Sequence, residues 1–135
     1  PEAKEILKSS SVHPELPFVL RLPHGLIHGT LDLIYRNAEG KWVILDYKTS
    51  RVDGKNFKER GEEYRVQMEL YALAVREITG GPPVEARLHF LRPGLIYSIP
   101  FKAEDFGGLF EKFTGMQKKI LDFRKGKIAA VIPAK

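Results

Sequence analysis

Apolar residues fall along this chain at two different spacings. From Leu16 to Leu22 they recur two apart at Phe18, Leu20 and Leu22, and a second alternating run extends from Leu26 to Tyr35. Period two belongs to a strand with one buried face. Pro23-His24-Gly25 supplies the turn between the runs, so the pair predicts an antiparallel hairpin. Beyond the turn cluster Asn37-Ala38-Glu39-Gly40, Trp42-Val43-Ile44-Leu45 runs on into Asp46-Tyr47-Lys48, and its near-continuous apolar character predicts a third strand buried on both faces. Thr49 to Gly61 is polar and basic, contains Gly54 and Gly61, and reads as a mobile loop. The period then changes: Tyr64, Gln67, Met68, Tyr71, Val75 and Ile78 form one stripe of a helix over Glu62 to Thr79, stopped by Gly80-Gly81-Pro82-Pro83. Val84 to Leu91 and Leu95 to Phe101, separated by Pro93-Gly94, predict a second hairpin. Ala103 to Gly126 places Phe106, Leu109, Phe110, Phe113, Ile120 and Phe123 at helical spacing. Gly107, Gly108 and Gly115 weaken that helix, each by about 1 kcal/mol relative to Ala, so its start reads as a loop. Ile128 to Lys135 reads as a short extended end or a cut linker. The predicted order is three strands, a helix, two strands and a helix, which is a mixed α/β domain.

Composition narrows the class. With 135 residues, 43% of them hydrophobic and 29% charged, the chain can fold as one domain that buries roughly two thirds of its unfolded surface. Disorder is excluded for the whole. No apolar run approaches the ~18 residues of a membrane span, and the start of the chain lacks the layout of a signal peptide. A membrane protein is not expected, and the expected location is the bacterial cytoplasm, with the nucleoid. The absence of Cys excludes a disulfide framework, a thiolate nucleophile, an iron-sulfur cluster within this chain and Cys-ligated zinc. A metal must therefore sit on oxygen or imidazole. The first residue is Pro1, and Met occurs only at positions 68 and 116, so the chain is expected to be a piece of a longer protein. A net charge of +5 suits an anionic partner such as nucleic acid, without establishing one.

Asp46 and Lys48 lie two apart on the third predicted strand, so they project from the same face, about 6 to 7 Å from each other. Alone, an Asp-x-Lys at a strand end is most simply a surface ion pair. Asp32 changes the weighing, because it interrupts the apolar run Leu31-Asp32-Leu33-Ile34, and a buried carboxylate needs a partner or a metal. If the second and third strands pair around an odd loop centred on Glu39, residues whose numbers sum to 78 stand opposite, and Asp32 meets Asp46 on one face. An even loop or a bulge would turn Asp32 to the other face. Two carboxylates held together repel unless a cation bridges them, and a hard divalent ion, Mg²⁺ or Mn²⁺, suits oxygen ligands. A lysine beside such an ion can position the attacking water and offset charge in a phosphoryl transition state, which implies phosphodiester hydrolysis. Gln67 and Tyr71, four apart, share a helix face; as an isolated pair they could equally be a core Tyr and its hydrogen-bonding neighbour. Arg51, Lys55, Lys58, Arg60 and Arg65 follow the third strand directly, where they suit phosphate capture or simply a solvated loop. Lys118, Lys119, Arg124, Lys125 and Lys127 read as the solvated face of the last helix.

Gly29-x-x-Asp32, then Asp46-Tyr47-Lys48-Thr49-Ser50, then Gln67-x-x-x-Tyr71, in this order and spacing, resemble the PD-(D/E)XK nuclease superfamily. Within it they are most similar to RecB-like nuclease domains, in particular the C-terminal domain of AddA-type subunits of bacterial helicase-nucleases, and Glu15-Leu16-Pro17-Phe18 adds to the likeness. The resemblance covers Glu15 to Val75. It implies a restriction-endonuclease-like mixed central sheet of about five strands flanked by helices. It also implies a Mg²⁺- or Mn²⁺-dependent deoxyribonuclease in which Asp32 and Asp46 ligate the metal, the Tyr47 carbonyl is a further ligand and Lys48 is the catalytic lysine. Gln67 and Tyr71 match the family's helical motif beside the active site and the DNA, and Arg51, Lys58 and Arg65 are expected to contact DNA. The implied partners are DNA, a helicase motor elsewhere in the full-length protein and a second helicase-nuclease subunit, working in double-strand break repair and recombination. A catalytically inactive DNA-binding module of the same fold and a stand-alone phage-type exonuclease remain alternatives. RecB-like domains carry a further His or Glu on a helix before the first strand. Only Pro1 to Val12 and the candidates Glu5 and His13 are available for that role here, and neither is assigned it. That upstream helix is expected to lie outside the chain, which should leave the isolated domain a weak nuclease. No Gly-x-x-x-x-Gly-Lys-Ser/Thr loop is present to bind a nucleoside triphosphate.

Overall fold

A computed structural model describes residues 2–9, 11–92 and 94–125. The expected extended end over residues 128–135 lies outside these, as does Lys127, and the side chains of Arg124 and Lys125 are likewise not described. The elements in chain order are α1 (Glu2–Lys8), β1 (Val12–Leu22), β2 (Gly25–Arg36), β3 (Trp42–Lys48), α2 (Phe57–Glu63), α3 (Arg65–Thr79), β4 (Glu85–Phe90), β5 (Leu95–Pro100) and α4 (Phe106–Lys125), the last preceded by a 3₁₀ turn over Ala103–Asp105. The strands form one mixed sheet in the order β1-β2-β3-β4-β5. All neighbours are antiparallel except β3 and β4, which run parallel because the α2–α3 crossover joins them. Among the described residues no helix is long and apolar enough to cross a membrane.

The β2–β3 register puts Leu33 opposite Leu45, Ile34 opposite Ile44, Tyr35 opposite Val43 and Arg36 opposite Trp42, every pair summing to 78. The loop between them is odd, tied by the Asn37 side chain, which accepts the backbone N–H groups of Glu39 and Lys41, and Gly40 adopts the left-handed conformation it needs (φ 75°). Ile44 faces the main core with Met68, Ala72, Leu73 and Val75 of α3 and Phe106 and Phe113 of α4. Val43 and Leu45 face the other side, where Tyr35, Ile6, Val12, Leu33 and Val84 form a smaller cluster under α1.

One departure from simple alternation lies beside Asp32. Leu31 packs into the main core and Leu33 into the α1 cluster, although residues two apart in a regular strand share a face. The paired strand does the same, with Leu16 on the main core side and Val12 on the α1 side. The reversal falls between them, where Glu15 has a left-handed backbone (φ 46°), a conformation that costs a non-glycine residue about 1 kcal/mol or more. The hairpin therefore turns over at Glu15 and Asp32, and its distal half wraps onto α3 and α4.

Two helices stand where the apolar pattern showed none. The Thr49–Gly61 segment is not a loop throughout: Asp53 accepts the N–H groups of Lys55 and Asn56, Asn56 accepts that of Asp53, and α2 follows from Phe57. Phe57 anchors it edge-on to Phe90 and Tyr97. The helix expected from Glu62 is split at Tyr64 (φ −96°, ψ 1°), which ends α2 and opens α3. Gly61 allows this corner, because a Cβ there would stand 2.3 Å from the Tyr97 ring. Helix α1 precedes β1 on the face opposite α3 and α4. Its Glu5 carboxylate accepts hydrogen bonds from Tyr35 (2.6 Å) and Arg87 (2.9 Å).

Candidate active site

Asp46 is the one buried charged residue among the described residues, 4% exposed at the end of β3. Alternation along β3 turns it, with Ile44 and Lys48, toward α3. Its Oδ2 faces the Lys48 ammonium at 2.6 Å and accepts no well-directed hydrogen bond. The Lys48 Nζ donates to Gln67 Oε1 (2.7 Å), and Gln67 Nε2 donates to the Tyr71 hydroxyl (3.1 Å), so α3 contributes two residues of a chain that begins on β3. Tyr71 meets Phe18 edge-on at 5.7 Å between ring centroids. The Phe18 ring in turn lies across Gly29, where a Cβ would come within 2.5 Å of it. The glycine of Gly29-x-x-Asp32 thus makes room for the aromatic that supports Tyr71.

Asp32 reaches the same place from β2. Its Oδ2 accepts the Tyr47 backbone N–H at 2.9 Å, which fixes the carboxylate against the end of β3 beside Asp46. Burial pushes the Asp46 carboxyl up to about 6; the Lys48 ammonium opposes that rise and the neighbouring Asp32 adds to it. The Tyr71 hydroxyl is also raised, by burial first and then by the Asp46 and Asp32 charges, as expected of a phenol facing both carboxylates. Two carboxylates side by side, one of them buried with an oxygen that lacks a donor, form a hard, anionic oxygen set that fits a divalent cation better than it fits an empty core.

The other sequence candidates are distributed differently. Arg51 and Lys58 are exposed on the segment after β3 and on α2. Arg65 is held in a two-pronged pair with Glu62, Nε to Oε1 and NH2 to Oε2 both at 2.7 Å, and the Tyr97 hydroxyl donates to the same carboxylate. These bonds, Arg65 first, pull the Glu62 carboxyl down to about 2. Arg60 pairs with Glu63. Lys118 and Lys119 are exposed on α4. Glu5 is engaged on the far face of the sheet, its carboxyl lowered chiefly by the Tyr35 hydrogen bond. His13 bonds Ser11 and lies against Trp42. Among the described residues no group of three or more His, Asp and Glu comes together. Two residues at the site have no role that the sequence pattern assigns. The Tyr64 ring lies under the Lys48 ammonium, 4.0 Å from centroid to Nζ, and Ser50 bonds the Tyr64 hydroxyl at 2.9 Å.

The raised Asp46 carboxyl has a measurable consequence. Between the ordinary value of 3.8 and about 6, the folded chain binds a proton at Asp46 that the unfolded chain does not. Stability without metal therefore rises as pH falls through that window, by at most about 3 kcal/mol. Denaturant unfolding of the metal-free chain at pH 7.5 and pH 5 should show this rise relative to Asp46→Asn, which lacks it. Equal pH slopes in the two proteins would mean that Asp46 ionises as an ordinary surface carboxyl.

The sequence profile of the PD-(D/E)XK nuclease superfamily matches residues 2–131. An ATP-dependent helicase/nuclease polypeptide of Carboxydothermus hydrogenoformans is 36% identical over 104 residues, which is 67% of this chain and 9% of the relative. The protein of the same name from Bacillus velezensis is 31% identical over 117 residues, 71% of this chain and 9% of the relative. That from Oceanobacillus iheyensis is 28% identical over 118 residues, 74% of this chain and again 9% of the relative. The chain thus spans about a tenth of the length of these relatives. Among solved structures, the protein described as SSO0001 superposes with a TM-score of 0.49 at 22% identity, over 85% of this chain and 55% of that one. The profile match extends over nearly the whole chain and includes all three motifs, and the chain belongs to the PD-(D/E)XK nuclease superfamily.

Proposed function

We propose that this domain hydrolyses phosphodiester bonds of DNA with the help of a divalent cation, Mg²⁺ or Mn²⁺, and that it does so as the nuclease of a larger ATP-dependent helicase-nuclease. The observation that carries the reading is the convergence of Asp32, Asp46 and Lys48 at the end of β3, with Lys48 Nζ 2.6 Å from Asp46. Asp32 and Asp46 would hold the cation, with the Tyr47 carbonyl as a further ligand. When bound, such an ion supplies Lewis-acid polarisation of a phosphoryl oxygen. The chain's own groups do the rest. Lys48 orients the attacking water and places positive charge where the phosphoryl oxygens gain negative charge. Gln67 holds Lys48 from the helix side. The Tyr71 hydroxyl accepts from Gln67 and so keeps its own proton for a phosphate oxygen.

DNA would run past this end of the sheet along α2 and α3, with Gln67 and Tyr71 beneath it and the exposed Arg51 and Lys58 as phosphate contacts. Arg65 would add charge only, since Glu62 occupies its guanidinium. The names of the relatives support a helicase motor in the same polypeptide. Work in double-strand break repair and recombination, a place in the bacterial cytoplasm and pairing with a second helicase-nuclease subunit belong to the same proposal.

Two experiments test it. Linear DNA incubated with the chain should be cleaved with Mg²⁺ or Mn²⁺ and spared with a chelator. Lys48→Ala should slow cleavage about 10²-fold or more while its unfolding transition stays that of a folded domain. Cleavage by Lys48→Ala at the parent rate would remove Lys48 from the chemistry, and intact DNA under every divalent ion would favour a DNA-binding module instead. For the groove, the double variant Arg51→Glu and Lys58→Glu should reduce the slope of log affinity against log salt by about 2. An unchanged slope would place the DNA elsewhere.

A further inference from the structure

Lys48 is a flexible side chain that the proposed chemistry requires in one place. Four methylenes leave its ammonium about 2 kcal/mol of rotamer freedom to lose, and two acceptors on one side do not stop it from swinging. Asp46 lies at 2.6 Å and Gln67 at 2.7 Å, and the side chain is 13% exposed, so the ammonium has little water around it. The face of the Tyr64 ring lies beneath it, with 4.0 Å between Nζ and the centroid. A cation over an aromatic face is attracted by the ring quadrupole, more strongly where water is excluded.

What sets Tyr64 apart from a ring that happens to be near is how firmly it is held. Its backbone N–H bonds the Gly61 carbonyl (3.1 Å) and its carbonyl accepts from Met68 (3.0 Å), which locks it between α2 and α3. Its hydroxyl is tied at 2.9 Å to Ser50, two residues beyond Lys48 on the same chain segment. Its ring also leans on Phe90, centroids 6.3 Å apart, and Phe90 is fully buried and stands beside Lys48 in the β3–β4 register.

We propose that Tyr64 is a positioning residue for Lys48, a rigid aromatic floor that pins the ammonium against Asp46 and Gln67. The inference rests on the nuclease reading only for its effect on rate; the restraint on Lys48 stands without it. Three replacements separate a floor from a mere filler. Tyr64→Phe keeps the ring and loses the Ser50 bond, and Tyr64→Leu keeps apolar bulk and loses the ring. Pentafluorophenylalanine at position 64 keeps the shape and reverses the quadrupole.

The first readout is nuclear magnetic resonance of the Lys48 ε-methylene in the metal-free chain, where the ring current should hold its protons upfield of those of exposed lysines. That shift should persist in Tyr64→Phe and collapse in Tyr64→Leu. The second is single-turnover DNA cleavage under divalent ion. The rate should fall about tenfold in Tyr64→Leu and in the pentafluoro variant with DNA affinity unchanged, and should recover in Tyr64→Phe. The pentafluoro protein keeps the packing, so it still decides the question if Tyr64→Leu does not fold. A Lys48 signal indifferent to the loss of the ring, or a pentafluoro protein that cuts at the parent rate, would overturn the proposal. If the parent chain cleaves nothing, the nuclease reading fails while the Lys48 signal still decides the role of Tyr64.

Discussion

A carboxylate taken out of water at the end of a buried strand has to be answered by other charges, and Asp46 is that carboxylate here. Strand β3 is apolar on both faces through Leu45 because α3 and α4 cover one side and α1 part of the other. The next residue is an acid that remains 4% exposed, and nothing apolar could offset the loss of its hydration. Lys48 offsets part of it as an ion pair at 2.6 Å. Asp32 works in the opposite direction, adding a second negative charge where one was already costly. A fold that gives up stability to bring like charges together has a use for them, and a bridging divalent cation is the simplest use consistent with oxygen ligands.

The rest of the architecture holds those groups in place. The β2–β3 register delivers Asp32, and the N–H of Tyr47 anchors it. The parallel β3–β4 pairing forces a crossover, and that crossover carries Tyr64, Gln67 and Tyr71 over the strand end. Behind it, the corner between α2 and α3 is closed by Gly61 against Tyr97 and by Glu62 shared between Arg65 and Tyr97. On the opposite flank, Phe18 fills the space above Gly29 and braces Tyr71. Site and scaffold are therefore the same contacts seen from two sides.

Much of this was legible from spacing. The odd loop centred on Glu39 predicts the observed pairing of Leu33 with Leu45 and Ile34 with Ile44, and the stripe through Met68 and Val75 predicts α3. What stayed hidden did so for identifiable reasons. Helix α1 has seven residues, well under the ~12–15 at which a helix is stable by itself, and it holds through Ile6 and the Glu5 bonds to Tyr35 and Arg87, which join residues distant in sequence. Helix α2 has Phe57 as its apolar anchor amid charged residues, too few positions to set a period. The reversal of faces at Asp32 is invisible because Leu31-Asp32-Leu33 looks like regular alternation. Arg65 reads as a phosphate contact from its place after β3, but its pair with Glu62, three residues earlier, competes with DNA for the same guanidinium. Tyr64 is visible only as one position on an apolar stripe, and its closeness to Lys48 depends on the crossover.

The central claim is that Asp32 and Asp46 together hold one divalent cation. Its most direct test is a crystal of this chain grown or soaked with Mn²⁺ and measured for anomalous scattering. The account predicts a single strong peak between the two carboxylates, about 2.1 to 2.2 Å from an oxygen of each. Carboxyl carbons more than about 8 Å apart, or manganese bound only elsewhere on the molecule, would contradict it.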